Sequence, residues 1–213
     1  MTNATTETYG ERVNTTPFIS GLLFSLSLIV AIGAQNAYVL QQGARREHLG
    51  TVVLICTTSE VALIAAGVAG VGAVVGSSPA LLTVLRAGGA TLLLAYAALA
   101  ARRALAGAQV PPAAARPGSS RGSVVAATLI FTWLNPAVYL DTLVLLGSVA
   151  NAHPGSQWWF GAGAATASAS WFLALGLASR LLTPLLRGPQ AARLLDAFVA
   201  VVMTITALRT LPS

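Results

Sequence analysis

Apolar residues run through this chain in long unbroken stretches instead of alternating with polar ones. Pro17–Leu40 and Pro154–Ser179 carry no charged side chain; of charged residues Leu49–Val75 carries only Glu60, Ala80–Ala101 only Arg86, Gly122–Ala152 only Asp141 and Leu194–Leu208 only Asp196. A helix of roughly 20 apolar residues crosses the hydrocarbon of a bilayer. Lipid admits only helices or closed barrels as spans, and these runs lack the two-residue alternation of barrel strands. The pattern predicts an all-α integral membrane protein with six transmembrane helices.

The polar stretches between them set the organisation. Residues 1–16 (MTNATTETYGERVNTT) have neither a basic start nor an A-x-A cleavage signal, so they read as a disordered polar tail and not as a cleaved leader. Residues 105–121 (LAGAQVPPAAARPGSSR) are rich in Pro, Ala, Gly and Ser and read as a flexible linker. The linker separates three helices in residues 17–104 from three in residues 122–213. With an odd number of spans per half, the halves enter the membrane from opposite faces, the arrangement of two inverted three-helix repeats. A shift of 100 residues places Ala37 on Ala137, Leu40 on Leu140 and Gln35–Asn36 on Asn135–Pro136.

Composition agrees, with 55% hydrophobic and 8% charged residues, against about 25% charged in an ordinary soluble domain. All twelve basic residues are arginine, and nine of them fall on one side of the predicted membrane: Arg45, Arg46, Arg102, Arg103, Arg116, Arg121, Arg180, Arg187 and Arg193. The positive-inside rule puts these nine in the cytoplasm and both termini outside. Short loop clusters without interleaved aromatics argue against nucleic acid as partner. Cys56 is the single cysteine, which excludes an internal disulfide or thiolate metal cluster. Metalloprotease, nucleophile-elbow, Walker and dinucleotide motifs are missing, so an enzyme, a cofactor and ATP-driven transport by this chain are not expected.

What remains are polar residues inside spans. In AIGAQNAYVL, Gly33, Gln35 and Asn36 interrupt the first span; in TWLNPAVYLDT, Asn135 and Pro136 interrupt the fourth. Gly33 and Pro136 are the expected helix breaks, since proline removes a donor and frees a carbonyl that lipid cannot satisfy. Matched breaks in two halves point to a binding site near the midplane, although a plain proline kink or a polar helix contact would use the same residues. Glu60, Arg86 and Asp141 are expensive in hydrocarbon and functional candidates by default. Counting along the helices places Arg86 and Asp141 at one depth, roughly 6 Å outward of the middle at 1.5 Å per residue, as a structural salt bridge, an outer gate or a pair exchanged for substrate. Asp196 stands three residues after Arg193 and is expected to pair with it. Trp158 and Trp159 read as interfacial anchors, His153 and His48 as solvated loop residues. The small-residue run Gly161–Ser170 offers a close packing face, within the chain or in a homo-oligomer.

The segments GLLFSLSLIVAIGAQNAYVLQQGARREH, LICTTSEVALIAAGVAG, LLTVLRAGGATLLLAYA, TWLNPAVYLDTLVLLG and AFVAVVMTITALR together resemble the LysE family of bacterial exporters for basic amino acids, over about Pro17 to Arg209. The resemblance implies a secondary transporter that moves lysine or arginine out of the cytoplasm. Asp141 matches the family's helix-4 aspartate and Arg86 a basic residue of its third helix, whereas Glu60 stands after Ser59 where the family usually has aspartate. Ala137 follows the Asn-Pro pair where cousins exporting neutral amino acids often carry lysine. On this basis Gln35, Asn36, Glu60, Arg86, Asn135 and Asp141 are the expected substrate-binding residues, with Glu60 and Asp141 also carrying coupling protons. Two carboxylates suit a guanidinium or ammonium, while Arg86 and the amides suit the amino acid's own carboxylate. An exporter of neutral amino acids or other small solutes, and a non-transporting channel or assembly module, are the alternatives.

Overall fold

The computed structural model describes residues 4–30, 33–45, 48–105, 120–182 and 189–210. Every regular element among them is helical: α1 (Ala4–Ile29), α2 (Ala34–Arg45), α3 (Leu49–Val68), α4 (Val71–Gly76), α5 (Pro79–Leu105), α6 (Arg121–Trp133), α7 (Pro136–Val138), a π-helical segment (Tyr139–Leu146), α8 (Gly147–Asn151), α9 (Gln157–Leu182) and α10 (Pro189–Thr210). The linker expected at 105–121 lies, but for its ends, outside the described residues.

Among the described residues α3 and α9 are each long and apolar enough to cross a membrane, and Thr15–Ile29 with Ala34–Arg45 meets the same test as one broken span. Leu23, Leu54, Val74, Leu177 and Val201 are each more than half exposed. Faces this apolar suit lipid and not water.

Three local departures from the expected elements have backbone causes. α1 begins at Ala4, so helix continues back through residues expected to be a disordered tail, and Pro17 lies inside it. Once a helix is nucleated each further residue adds a bond, and nothing before Pro17 removes a donor. The run Leu49–Val75, expected as one span, is divided at Gly70, whose φ of 91° ends one helix before α4 starts; glycine reaches that region without a Cβ penalty. The run Gly122–Ala152 divides after Trp133, at the expected Asn135–Pro136 break, but the segment beyond it widens into a π-helix that was not expected.

The chain forms two compact units. The first comprises Met1–Ala31, Thr58–Pro79 and Val138–Trp171, the second Ile32–Thr57, Ala80–Ala137 and Phe172–Ser213. In the first unit α1 and α4 lie against the π-helical segment. One cluster joins Ile64, Val68, Leu146, Ala150, Phe160 and Ala164, and another Leu63, Val138 and Leu143. Small residues let these helices touch backbone to backbone. A Cβ at Gly163 of α9 would strike the Phe18 carbonyl of α1, and one at Gly147 would come within 2.7 Å of the Gly67 carbonyl oxygen. Ala164, Ala167 and Ser168 are fully covered, so the small-residue face of Gly161–Ser170 packs inside this unit.

In the second unit α2 packs against α6 and α10. It is buried nearly all round: Ala34, Gln35, Asn36, Ala37, Tyr38, Val39, Gln41, Gln42 and Gly43 are all inside. Tyr38, Tyr96 and Phe131 form an aromatic cluster beside it, with Phe131 4.8 Å from Tyr38 and 4.6 Å from Tyr96 between ring centroids. A buried helix carrying four amide side chains must find partners for them within the protein.

Candidate functional site

In the first unit Glu60 meets the segment that carries Asp141. Glu60 on α3 is 9% exposed, and its Oε1 accepts a hydrogen bond of 3.3 Å from the Thr142 hydroxyl. Its Oε2 is buried and has no hydrogen-bond partner among the described residues. Asp141 is half-buried and stands one residue before Thr142. Both Asp141 and Thr142 belong to the π-helical segment; such widened turns are rare and frequent at functional sites. The segment is held from α3, where a Cβ at Gly67 would lie 2.7 Å from the Thr142 carbonyl oxygen. Leu63, Val138 and Leu143 wall the neighbourhood with apolar surface. A carboxylate here with one hydroxyl donor needs a proton or an external cation to complete it.

The second unit holds the amides. Gly33 stands immediately before α2, and its carbonyl accepts the Ala37 N–H at 3.0 Å. Gln35 and Asn36 occupy the first turn of α2 and are buried, at 8% and 5% exposure, with Gln35 Nε2 lacking a partner among the described residues. Asn135 is buried too; its Oδ1 accepts the Ala137 N–H at 3.2 Å. It thus caps the helix that opens at Pro136. Proline at the first helical position loses no bond, because that N–H has no intrahelical partner in any helix. Arg86 lies half-buried on α5. It belongs to the second unit and Asp141 to the first, and both ion pairs found among the described residues end elsewhere, on Asp196.

Asp196 corrects the expected pairing with Arg193. Arg193 instead donates from Nε to the Ala104 carbonyl at 3.0 Å. Three other groups converge on Asp196 Oδ1: Gln41 Nε2 at 2.8 Å, Arg103 Nε at 3.2 Å and Arg45 Nη2 at 3.8 Å. Tyr96 donates its hydroxyl to Gln41 Oε1 at 2.7 Å, and the Arg103 guanidinium carbon lies 5.4 Å from the Tyr96 ring centre. α2, α5 and α10 each contribute to this network, and an i, i+3 count along α10 could not see it. A second amide pair, Gln41–Gln42, just past the run that holds Gln35–Asn36, was the signal available in the sequence. His153 also departs from its expected solvated state, contacting the Val149 carbonyl at 2.8 Å and stacking on Phe160 at 5.4 Å. Trp158 and Trp159 are about half exposed, as anchors should be.

Three comparisons with known proteins bear on these constellations. The profile described as LysE type translocator matches residues 26–212. The arginine exporter protein ArgO of Pectobacterium carotovorum is 40% identical, covering 87% of this chain and 92% of the relative. The lysine exporter LysE of Corynebacterium diphtheriae is 38% identical, covering 90% and 96%. No solved structure gives a significant match. The chain therefore belongs to the LysE type translocator family, and is a helical membrane transporter and not an enzyme.

Proposed function

We propose that the protein exports basic amino acids, L-arginine or L-lysine, from the cytoplasm by proton antiport. The observation that carries this is the first unit's carboxylate pair, with Glu60 buried, one of its oxygens unpartnered among the described residues, and Asp141 next in the chain to the Thr142 that bonds it. Two acids in apolar surroundings favour a guanidinium or an ammonium over a neutral side chain, because pairing opposite charges offsets the desolvation of both. The relatives named as arginine and lysine exporters support the same substrate class. Gln35, Asn36, Asn135 and Arg86 are the donors proposed for the amino acid's own carboxylate.

Export of a cation against an inside-negative potential costs about 2.3 kcal/mol per charge per 100 mV. A proton returning on Glu60 or Asp141 as the substrate leaves offsets that cost and keeps the acids neutral during the return step. Six spans in two inverted halves, rocking to expose the site alternately to each face of a bacterial inner membrane, supply the movement. A homo-oligomer is compatible with this scheme but not required by it.

Proteoliposomes loaded with labelled arginine, lysine and leucine test the proposal. Arginine or lysine should leave in a saturable manner, faster than leucine, and acidifying the outside should speed release. Equal efflux of all three would overturn the cationic specificity. Release that neither saturates nor responds to the proton gradient would favour a channel.

A further inference from the structure

The Asp196 network in the second unit has the chemistry of the substrate already in it. Asp196 offers a carboxylate, Tyr96 an aromatic face, and Gln41 an amide whose oxygen is fixed by the Tyr96 hydroxyl so that its NH2 points at Asp196. Gln41 is fully buried. The Arg103 guanidinium sits between ring and carboxylate. Carboxylate plus aromatic face is the standard way to hold a guanidinium. Arg103 fills the place imperfectly. It meets Asp196 through Nε alone instead of the two-pronged fork, and its Nη2 is buried without a hydrogen-bond partner among the described residues. A buried donor left unmade weakens the state that contains it. A free guanidinium, not tethered to α5, can turn to present two donors. The side chains of Arg45, Arg103 and Asp196 remain 15–22% exposed, so the cage is reachable. Arg45 Nη2 lies 3.8 Å from Asp196 Oδ1 as well, a second cation for the carboxylate.

We infer that Asp196, Tyr96 and Gln41 form a second recognition site for the cationic side chain of a basic amino acid, occupied in this structure by Arg103 as a tethered competitor that the substrate displaces. The inference rests on the proposed export of basic amino acids. The positive-inside distribution puts this cage at the cytoplasmic side, where substrate arrives. Displacing Arg103 would select for cations before they reach Glu60 and Asp141. A tethered competitor acts at an effective concentration in the millimolar range, which sets the substrate level at which the cage fills.

The test uses the full chain in proteoliposomes, with efflux followed against luminal arginine, and thermal unfolding in detergent with guanidinium ion as probe. Arg103→Gln should lower KM for arginine severalfold, and Tyr96→Leu should raise it severalfold at little change in kcat. Guanidinium should raise the unfolding midpoint of Arg103→Gln, and adding Asp196→Asn to that variant should abolish the rise. Unchanged KM in both single variants, or a rise that survives Asp196→Asn, would overturn the cage. If Asp196→Asn does not fold, Tyr96→Leu in the Arg103→Gln background replaces it with the same expected loss. Wild-type vesicles releasing neither arginine nor lysine would refute export, while the guanidinium shift still decides the cage.

Discussion

Glu60 and Asp141 are the residues on which the proposed transport turns, and their roles separate by substitution. Glu60→Gln keeps an oxygen able to accept from Thr142 but removes the charge. Removing one member of a buried ion pair costs about 3 kcal/mol, on the order of 100-fold in an affinity. Arginine efflux per inserted molecule should fall by about that factor in Glu60→Gln and in Asp141→Asn, measured at subsaturating load with abundance checked by immunoblot. Thr142→Val loses one hydrogen bond worth about 1 kcal/mol, so its transport should drop only severalfold. Both acids were legible in the sequence, since a lone carboxylate in an apolar run is conspicuous whatever surrounds it. Thr142 was not, because a hydroxyl in a membrane helix usually bonds its own preceding turn, as Thr128 and Thr132 do here.

At the scale of elements the breaks before α2 and at Asn135–Pro136 carry the design. Asn135 caps the helix after the break, and a lost cap costs about 1 kcal/mol. Asn135→Ala should therefore lower the thermal midpoint modestly, while Asn135→Asp, which retains the capping oxygen, should not. Gly67 and Gly147 pin α3 against the π-helical segment and the start of α8. A methyl group forced between backbones costs about 1–3 kcal/mol as overpacking, so Gly67→Ala and Gly147→Ala should each reduce folded protein in detergent, by size-exclusion recovery. The sequence marked the breaks at Gly33 and Asn135–Pro136, because proline and glycine act on their own turn, but not the one at Gly70. It did not mark the π-helix over Tyr139–Leu146, whose widened turn depends on which helices press on it, nor that α2 would be buried on all sides.

For the whole molecule the distribution of arginines makes a topological prediction. In a Cys56→Ala background, Thr5→Cys and Ser213→Cys should react with an impermeant thiol reagent from outside the cell, and Ala113→Cys only after the membrane is opened. Thr5→Cys protected in intact cells would place the N-terminus inside and overturn the positive-inside assignment.

The sequence by itself determined that this is a helical membrane protein, where the first and fourth apolar runs break, and which acids lie within the apolar runs. Those facts follow from burial energies and backbone donors that each residue carries wherever it sits. Only the tertiary structure decided which residues those acids meet: Thr142 for Glu60, and Gln41, Arg103 and Arg45, not Arg193, for Asp196. Partnership between helices depends on rotation and crossing, which are set by small residues such as Gly67, Gly147 and Gly163 touching backbones far away in the chain. A one-dimensional pattern reports the cost of a buried charge, and the fold alone reports how it is met.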